Sequence, residues 1–413
     1  MVHIMAFLFF HTILFVAVLG SIKGASATVC NEKEDDGTYK FDNLVSWVRH
    51  NGGRVHDNLG LTNHQHASRL VRGGVALENI KAGSELLFLP WDIVFGTIDG
   101  TSAVPDNKCE VLQSYASEVD KKRESFWYPY LTLDDSLSSR VPSLWNELAM
   151  SELQGLPPYG KTGGLTDWYS SNCANGVSFS KLPSSSRRAL LAAITRAAGL
   201  RWLPIYDLLN HHNGMLNTNS YASAKGNTVT TTKDIAKGEE IFMTYRGGKE
   251  NTVPDLFRRY GFVEQWPQYY EWEGENKTQT MQFLILPGEN VAIYPSPNMM
   301  SQIGHGSLIV GDLLASIEMH NQSLLMTKLV EFRKMALTLV ATFSTTVEED
   351  TVILQTTNDN LQMISQDLFE EIEQQMDISS AISYRIHLKQ AIQIALDATN
   401  RLLDLHEDTA AEL

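Results

Sequence analysis

Apolar residues run from Ile4 to Gly20 with only His11 and Thr12 as polar interruptions. Lys23 follows, then the small-x-small tripeptide Ala25-Ser26-Ala27. This pattern predicts a secretory signal peptide over residues 1–27. The run spans 17 residues, slightly short for a membrane span, and an uncleaved signal anchor is the alternative.

Beyond it the apolar pattern is strand-like and partly repeated. Ile80-Lys81-Ala82-Gly83-Ser84-Glu85 and Ile235-Ala236-Lys237-Gly238-Glu239-Glu240 share the form I-x-x-G-x-E, each followed by three apolar residues. The Gly marks a tight turn and the apolar run a buried strand. Strand-like residues also precede each copy, at Gly74–Leu77 and Asn227–Thr232. Two similar hairpins are expected, about 155 residues apart, in a β domain made in two pieces around an insertion.

The insertion has the helical period. Cys109–Lys122, Val141–Leu153 and Ser186–Gly199 carry apolar residues at helix spacing, and Leu156–Thr166 is a Pro/Gly loop. From about Thr280 the helical period returns, over Leu324–Ala341, Gln366–Met376 and Ser379–Leu405. In the last of these Tyr384, Leu388, Ala391, Ile392, Ala395, Leu396, Thr399, Leu402 and Leu403 share one face.

Composition narrows the function. The 413 residues suffice for two or three domains, and 43% hydrophobic against 20% charged content is that of a globular protein. A net charge of −15 repels phosphates, so nucleic acid is not an expected ligand; a basic protein or peptide is compatible. Cys30, Cys109 and Cys173 allow one intrachain disulfide and leave one thiol. Asn276-Lys277-Thr278 and Asn321-Gln322-Ser323 are glycosylation sequons, relevant only on a secretory route.

Several chemical motifs are excluded. Gly155–Thr162 fits the literal phosphate-loop pattern, but Pro157 and Pro158 lack the N–H groups that such a loop aims at phosphate. His64-x-His66 and His211-His212 have no Cys cluster or acidic residues at metal-ligand spacing, so no metal site is expected. No G-x-S-x-G element is present.

The stretch from Arg196 to Glu264 holds Asp207, Asn210-His211, Tyr245 and Tyr260 on one β substructure. Asn and His can bond a base edge, and a buried Tyr hydroxyl can position a reacting group. From residue types alone, a structural polar network is favoured over a functional site.

The arrangement resembles the SET-domain methyltransferases, in the branch of the Rubisco large-subunit lysine methyltransferase and the actin-histidine methyltransferase. Val71–Gly83 stands where that branch has its opening G-R-G-L segment, and Trp127-Tyr128-Pro129-Tyr130-Leu131 resembles its W-x-P-Y-[LI] element. Ile194-Thr195-Arg196, Pro204–His211 (P-x-x-D-x-x-N-H), Glu240–Tyr245, Asn251 and Tyr260-Gly261-Phe262 follow in order, with Tyr384-Arg385 near the end. The likeness covers roughly residues 40 to 405.

The resemblance implies an α+β fold: a split β-rich SET domain with an inserted helical subdomain and a C-terminal α-helical domain. Its pieces would be residues 40–100 and 191–272 for the SET domain, 101–190 for the insertion, and 280–408 for a helical substrate-binding domain. It implies S-adenosyl-L-methionine as cofactor and methyl transfer to a protein or peptide. Arg72 and Arg196 would hold the cofactor's carboxylate and the backbone at Gly73 its methionine part. Asp207 would order the turn that carries Asn210 and His211, both cofactor contacts. Tyr245 would be the catalytic tyrosine, and Tyr260 and Phe262 would line the transfer channel. Histidine-modifying members carry Asn after the conserved Arg; Ala197 stands here, which points to lysine.

Two alternatives to a lysine methyltransferase stay open, a histidine methyltransferase and a non-catalytic interaction module of the same fold. The chain's address sits awkwardly with a cofactor that is chiefly cytosolic and organellar. The signal predicts the secretory pathway or endoplasmic reticulum, with no stable membrane span once cleaved. A plastid reached by a two-part presequence is the other route, although Glu32, Glu34, Asp35 and Asp36 are acidic where transit peptides are not.

Overall fold

A computed structural model describes residues 37–411, apart from 67–68, 99, 139, 157–163, 246–251, 265–266, 274–279, 287–289, 295–307, 311–321 and 365–368. The signal segment, Cys30, the Asn276 sequon, Asn321 of the second sequon, Arg246-Gly247-Gly248 and Asn251 fall outside these residues, as does most of the phosphate-loop-like stretch. Among the described residues no helix is long and apolar enough to cross a membrane.

The chain begins with α1 (Gly37–His50), which buries Phe41, Leu44 and Val48 at helical spacing. Four strands follow: β1 (Arg54–Val55), β2 (Leu59–His66), β3 (Arg69–Ala76) and β4 (Glu85–Pro90). Then come the inserted helices α2 (Lys108–Lys121), α3 (Tyr128–Leu131), α4 (Glu147–Glu152), α5 (Gly164–Cys173) and α6 (Ser184–Thr195). The β part resumes with β5 (Asn210–His211), β6 (Thr218–Ala222), β7 (Gly226–Thr231) and β8 (Glu240–Met243), and α7 (Val253–Tyr260) closes it.

The two I-x-x-G-x-E copies do not form separate hairpins. Each pairs with the other: β3 with β8, and β4 with β7. At the crossing, Ile80 and Ile235 donate backbone N–H groups to each other's carbonyls at 2.9 and 2.8 Å. Gly83 N donates to Thr231 O and Gly238 N to Ala76 O, the same bond made by each copy. Both glycines have φ near +80°, which an L side chain would disfavour. Strands β3 and β4 therefore lie in different sheets, ordered β2-β3-β8-β5 and β1-β4-β7-β6. Within the first, β5 runs parallel to β8. A period-two pattern marks strands but not partners, and the register across about 150 residues is set by tertiary pairing.

A third, antiparallel sheet has the order β12-β11-β10-β9, built from β9 (Gln268–Glu273), β10 (Thr280–Leu286), β11 (Asn290–Tyr294) and β12 (Leu308–Val310). It crosses the boundary expected between residues 272 and 280, so the C-terminal part opens with a sheet and turns helical only afterwards. Its helices are α8 (Gln322–Val340), α9 (Val347–Met363) and α10 (Phe369–Ala411). The segments Gln366–Met376 and Ser379–Leu405 belong to this one 43-residue helix as far as they are described.

Two cores result. One, around Trp91, Trp202, Tyr115 and Leu190, joins the first two sheets to α1, α2 and α6. The other holds Tyr270, Phe283, Phe257, Tyr384 and Trp145, so the third sheet, α4, α7 and α10 share it. The face expected on the last helix is the buried one: Tyr384, Leu388, Ile392, Ala395 and Thr399 are all fully buried. Each large apolar side chain buried there contributes roughly 1.5–3 kcal/mol. Arg385 is buried beside them and pairs with Asp350 through two hydrogen bonds, at 2.9 and 2.6 Å.

In the insertion, Cys109 at the start of α2 and Cys173 at the end of α5 are joined by a disulfide, with Cα atoms 5.5 Å apart.

Candidate active site

Strand β3 carries two adjacent glycines, Gly73 and Gly74, where the turn ahead of β5 presses against it. A Cβ on Gly73 would stand 2.3 Å from Asn210 Nδ2 and 2.6 Å from Glu240 Oε1. One on Gly74 would stand 2.4 Å from Leu209. Only a strand bare of side chains lets the Asn210 turn lie this close. Asn210 Nδ2 donates to Glu240 Oε1 at 2.7 Å, which fixes the amide orientation. Glu240 also meets His66 Nε2 at 2.8 Å and His64 Nδ1 at 3.4 Å. The hydrogen bond to Glu240 raises the His66 pKa above its ordinary value. Among the described residues, no three His, Cys, Asp or Glu side chains form a metal-holding group.

The turn that delivers Asn210 is the single-turn helix Tyr206–Leu208. Asp207 lies within it, buried, and its Oδ2 accepts a short hydrogen bond from the Tyr130 hydroxyl of α3. Asp207 Oδ1 has no partner. Burial dominates and pushes this carboxyl up to about 7, against the opposing pull of Arg196 and Tyr130. The W-x-P-Y element and the P-x-x-D-x-x-N-H element thus meet through Tyr130 and Asp207.

Arg72 on β3 and Arg196, just past α6, converge nearby. Arg72 Nη2 donates to Leu133 O at 2.7 Å, and Arg196 Nη1 to Asp207 O at 3.0 Å. Both also reach Asp135: Arg72 Nη2 lies 3.3 Å from its Oδ2, and Arg196 Nη2 hydrogen-bonds its Oδ1. The Nε atoms of both arginines are buried without a hydrogen-bond acceptor, Arg196 Nε lying 3.6 Å from Asp134 Oδ1. Burial draws the Arg72 pKa below its usual value. For Arg196 burial acts the same way, but Asp135 and Asp207 outweigh it and raise the pKa.

Next to the Asn210 turn is an aromatic cluster. His211 is buried, and its Nδ1 accepts the Tyr245 backbone N–H at 3.2 Å. The His211 and Tyr245 ring centroids are 5.1 Å apart, those of Tyr245 and Tyr260 4.5 Å, and those of Tyr260 and Phe262 6.1 Å. Tyr260 is the last residue of α7, and Pro254 fits that helix's first turn. The Tyr245 hydroxyl approaches Leu209 O at 3.5 Å. Burial, and then the neighbouring Tyr260, hold the Tyr245 phenol above its ordinary pKa, so it is protonated at neutral pH.

No family model and no curated protein matches the chain by sequence. Solved structures do match. A structure of Rubisco LSMT bound to AdoMet is 16% identical, covers 88% of this chain and 92% of that one, and gives a TM-score of 0.51. Rubisco LSMT bound to sinefungin and monomethyllysine matches over the same shares at 0.50. The SET domain of LSMT bound to lysine and AdoHcy gives 0.49 at 16% identity. This chain has the SET-domain fold.

On that fold, all nine candidate residues fall into three adjoining groups. Gly73 and Asn210 form the first, Arg72, Arg196 and Asp207 the second, and His211, Tyr245, Tyr260 and Phe262 the third. Sequence reasoning missed the anions that organise them. Glu240 stands inside a matched motif with no role assigned to it, and Asp134-Asp135 lie outside every motif. Asp134 is buried and bonded to Arg188 Nε at 2.8 Å and the Tyr115 hydroxyl at 2.7 Å. Glu264, also missed, is buried 3.7 Å from His211 Nε2 and accepts from Asn213 N at 2.5 Å. An unpaired-looking acid within a helical or loop pattern carries no sign of a partner far along the chain.

Proposed function

We propose that this chain is an S-adenosylmethionine-dependent protein methyltransferase acting on lysine. The observation that carries the reading is the bare strand at Gly73 held against Asn210, beside two arginines whose Nε atoms lack acceptors. That cradle suits a flat, polar ligand with a carboxylate: backbone of β3 for its chain, guanidinium forks for its anion. Arg72 and Arg196 would hold the carboxylate, and Asn210 and the His211 backbone the remaining polar edge. The fold's solved relatives are described with AdoMet and with monomethyllysine, which favours the same ligands here.

When bound, the cofactor supplies a methyl group on a leaving group that is already activated. The protein's part is alignment and exclusion of water. Tyr245, protonated and packed between His211 and Tyr260, would orient the acceptor nitrogen by its hydroxyl, not remove a proton. The acceptor amine must reach the site uncharged, so its proton leaves to solvent before transfer. Ala197 after Arg196 favours lysine over histidine, and a net charge of −15 suits a basic, lysine-bearing protein. For the address we propose the secretory pathway, since the Cys109–Cys173 disulfide adds an oxidising-compartment feature to the signal segment.

Incubating the protein with labelled S-adenosylmethionine and an extract of the source organism, then mapping modified residues by mass spectrometry, tests this. Label on lysine is expected. Cofactor binding with no transfer to any protein would leave only an interaction module, and label on histidine would overturn the acceptor. A reporter fused behind residues 1–40 that stays cytosolic would overturn the address.

A further inference from the structure

We propose that Asp135 is a built-in carboxylate that competes with the cofactor's carboxylate for Arg72 and Arg196, and so sets how tightly this protein holds S-adenosylmethionine. The inference rests on the cofactor reading above.

The geometry is that of a ligand. One Asp135 oxygen faces Arg72 and the other faces Arg196, so each guanidinium takes one oxygen, as two arginines would share an incoming carboxylate. Its neighbour Asp134 is built differently. Asp134 is fully buried, held by Arg188, Tyr115 and Ser136. Arg188 and Arg196 keep its carboxyl below the ordinary range although burial opposes this. The Asp135 side chain is 50% exposed, so half of it already faces water. Turning it outward exchanges partly solvated contacts for hydration, a small cost compared with extracting a buried ion.

Repulsion between like charges favours the exchange. Among the described residues Arg72, Arg188 and Arg196 face Asp134, Asp135 and Asp207. Asp207 is pushed up to about 7 and shares its charge with a proton near neutrality. A carboxylate brought in beside Asp135 would set two like charges against the same pair of guanidinium groups in a largely buried pocket. With Asp135 turned out, both guanidinium groups face the incoming carboxylate alone. They would also stay in place, because Arg72 remains on Leu133 O and Arg196 on Asp207 O. The contact therefore acts as an internal competitor over a preformed cradle.

Calorimetry on the full chain tests this, with S-adenosylmethionine and its decarboxylated analogue as titrants. If the inward contact is populated about nine-tenths of the time, Asp135→Asn tightens S-adenosylmethionine about tenfold. The analogue, which has no carboxylate, should change less than about twofold. Asp135→Glu should bind like the parent. Asp135→Ser serves as a second neutral variant, and thermal melting checks that each folds. Unchanged affinity in both neutral variants overturns the proposal. Weaker binding also overturns it, and assigns Asp135 to the cofactor's ammonium group. If parent and variants all fail to bind either titrant, the cofactor reading falls and this proposal with it.

Discussion

The Tyr130 hydroxyl donates to Oδ2 of Asp207 across 77 residues of chain, and so ties the inserted helices to the turn that presents Asn210. The burial of Asp207 at this junction, which the Tyr130 bond only partly offsets, makes stability depend on pH. Burial raises the Asp207 carboxyl to about 7, from an ordinary 3.8. Between those values the folded chain holds a proton that the unfolded chain has released. Stability from this group is full below the unfolded value and is lost as pH rises through 7. Asp207→Asn removes the titration, so the variant should gain on the parent by at most about 1.4 kcal/mol per pH unit over that window. Urea midpoints for both proteins between about pH 5 and 8 measure it. Parallel profiles would show that Asp207 does not titrate there.

Gly73 makes a steric prediction. A methyl group at this position would land 2.3 Å from Asn210 Nδ2 and 2.6 Å from Glu240 Oε1, both held by their mutual hydrogen bond. Gly73→Ala must push Asn210 off β3 or bend the strand, an overpacking cost of about 1–3 kcal/mol. Cofactor affinity should fall at least about tenfold, because an amide displaced by even one ångström loses its alignment. Thermal melting and calorimetry separate the two effects. Parent-like affinity in a folded Gly73→Ala protein would remove the cradle from the site.

The strands around Gly83 and Gly238, and the buried face of α10, could be read from the chain because each is a local pattern. The pairing of the two repeats could not, since alternation marks a strand and leaves its partner open. Helix α9 was missed although its capping box, Thr346 with Glu349, is present; Val352, Ile353 and Met363 are exposed and blur its apolar stripe. The site divided in the same way. Residues in contiguous motifs, such as Asp207, Asn210 and His211, were visible. Glu240, Glu264 and Asp135 act on partners brought near only by folding, and a lone carboxylate carries no such signal in the sequence.

The Cys109–Cys173 bridge closes a 64-residue separation between α2 and α5. Chain-entropy arguments give such a loop about 4 kcal/mol of stabilisation. Cys109→Ser, or reduction of the parent, should therefore lower the denaturant midpoint clearly, and reductant should have no further effect on the Ser variant. Peptide mapping without reduction should recover the two cysteines in one linked species. A parent whose midpoint ignores reductant would mean that the bridge does not form in solution.

Tyr245 gives the sharpest test of mechanism. Its ring is fixed between His211 and Tyr260, its backbone N–H is bonded to His211 Nδ1, and its phenol is held protonated by burial. Such a group can orient the acceptor nitrogen and cannot act as a base in the neutral range. Tyr245→Phe should therefore bind S-adenosylmethionine within about threefold of the parent but transfer methyl about a hundredfold more slowly, the scale of a lost alignment. The pH profile adds a second readout. Rate should rise with pH as the acceptor amine loses its proton, with no falling limb from the phenol up to about pH 10, its ordinary value. The Phe variant should keep the same profile at a lower level. A changed profile would make Tyr245 the proton acceptor, and an unchanged rate would move the orienting role to the neighbouring Tyr260.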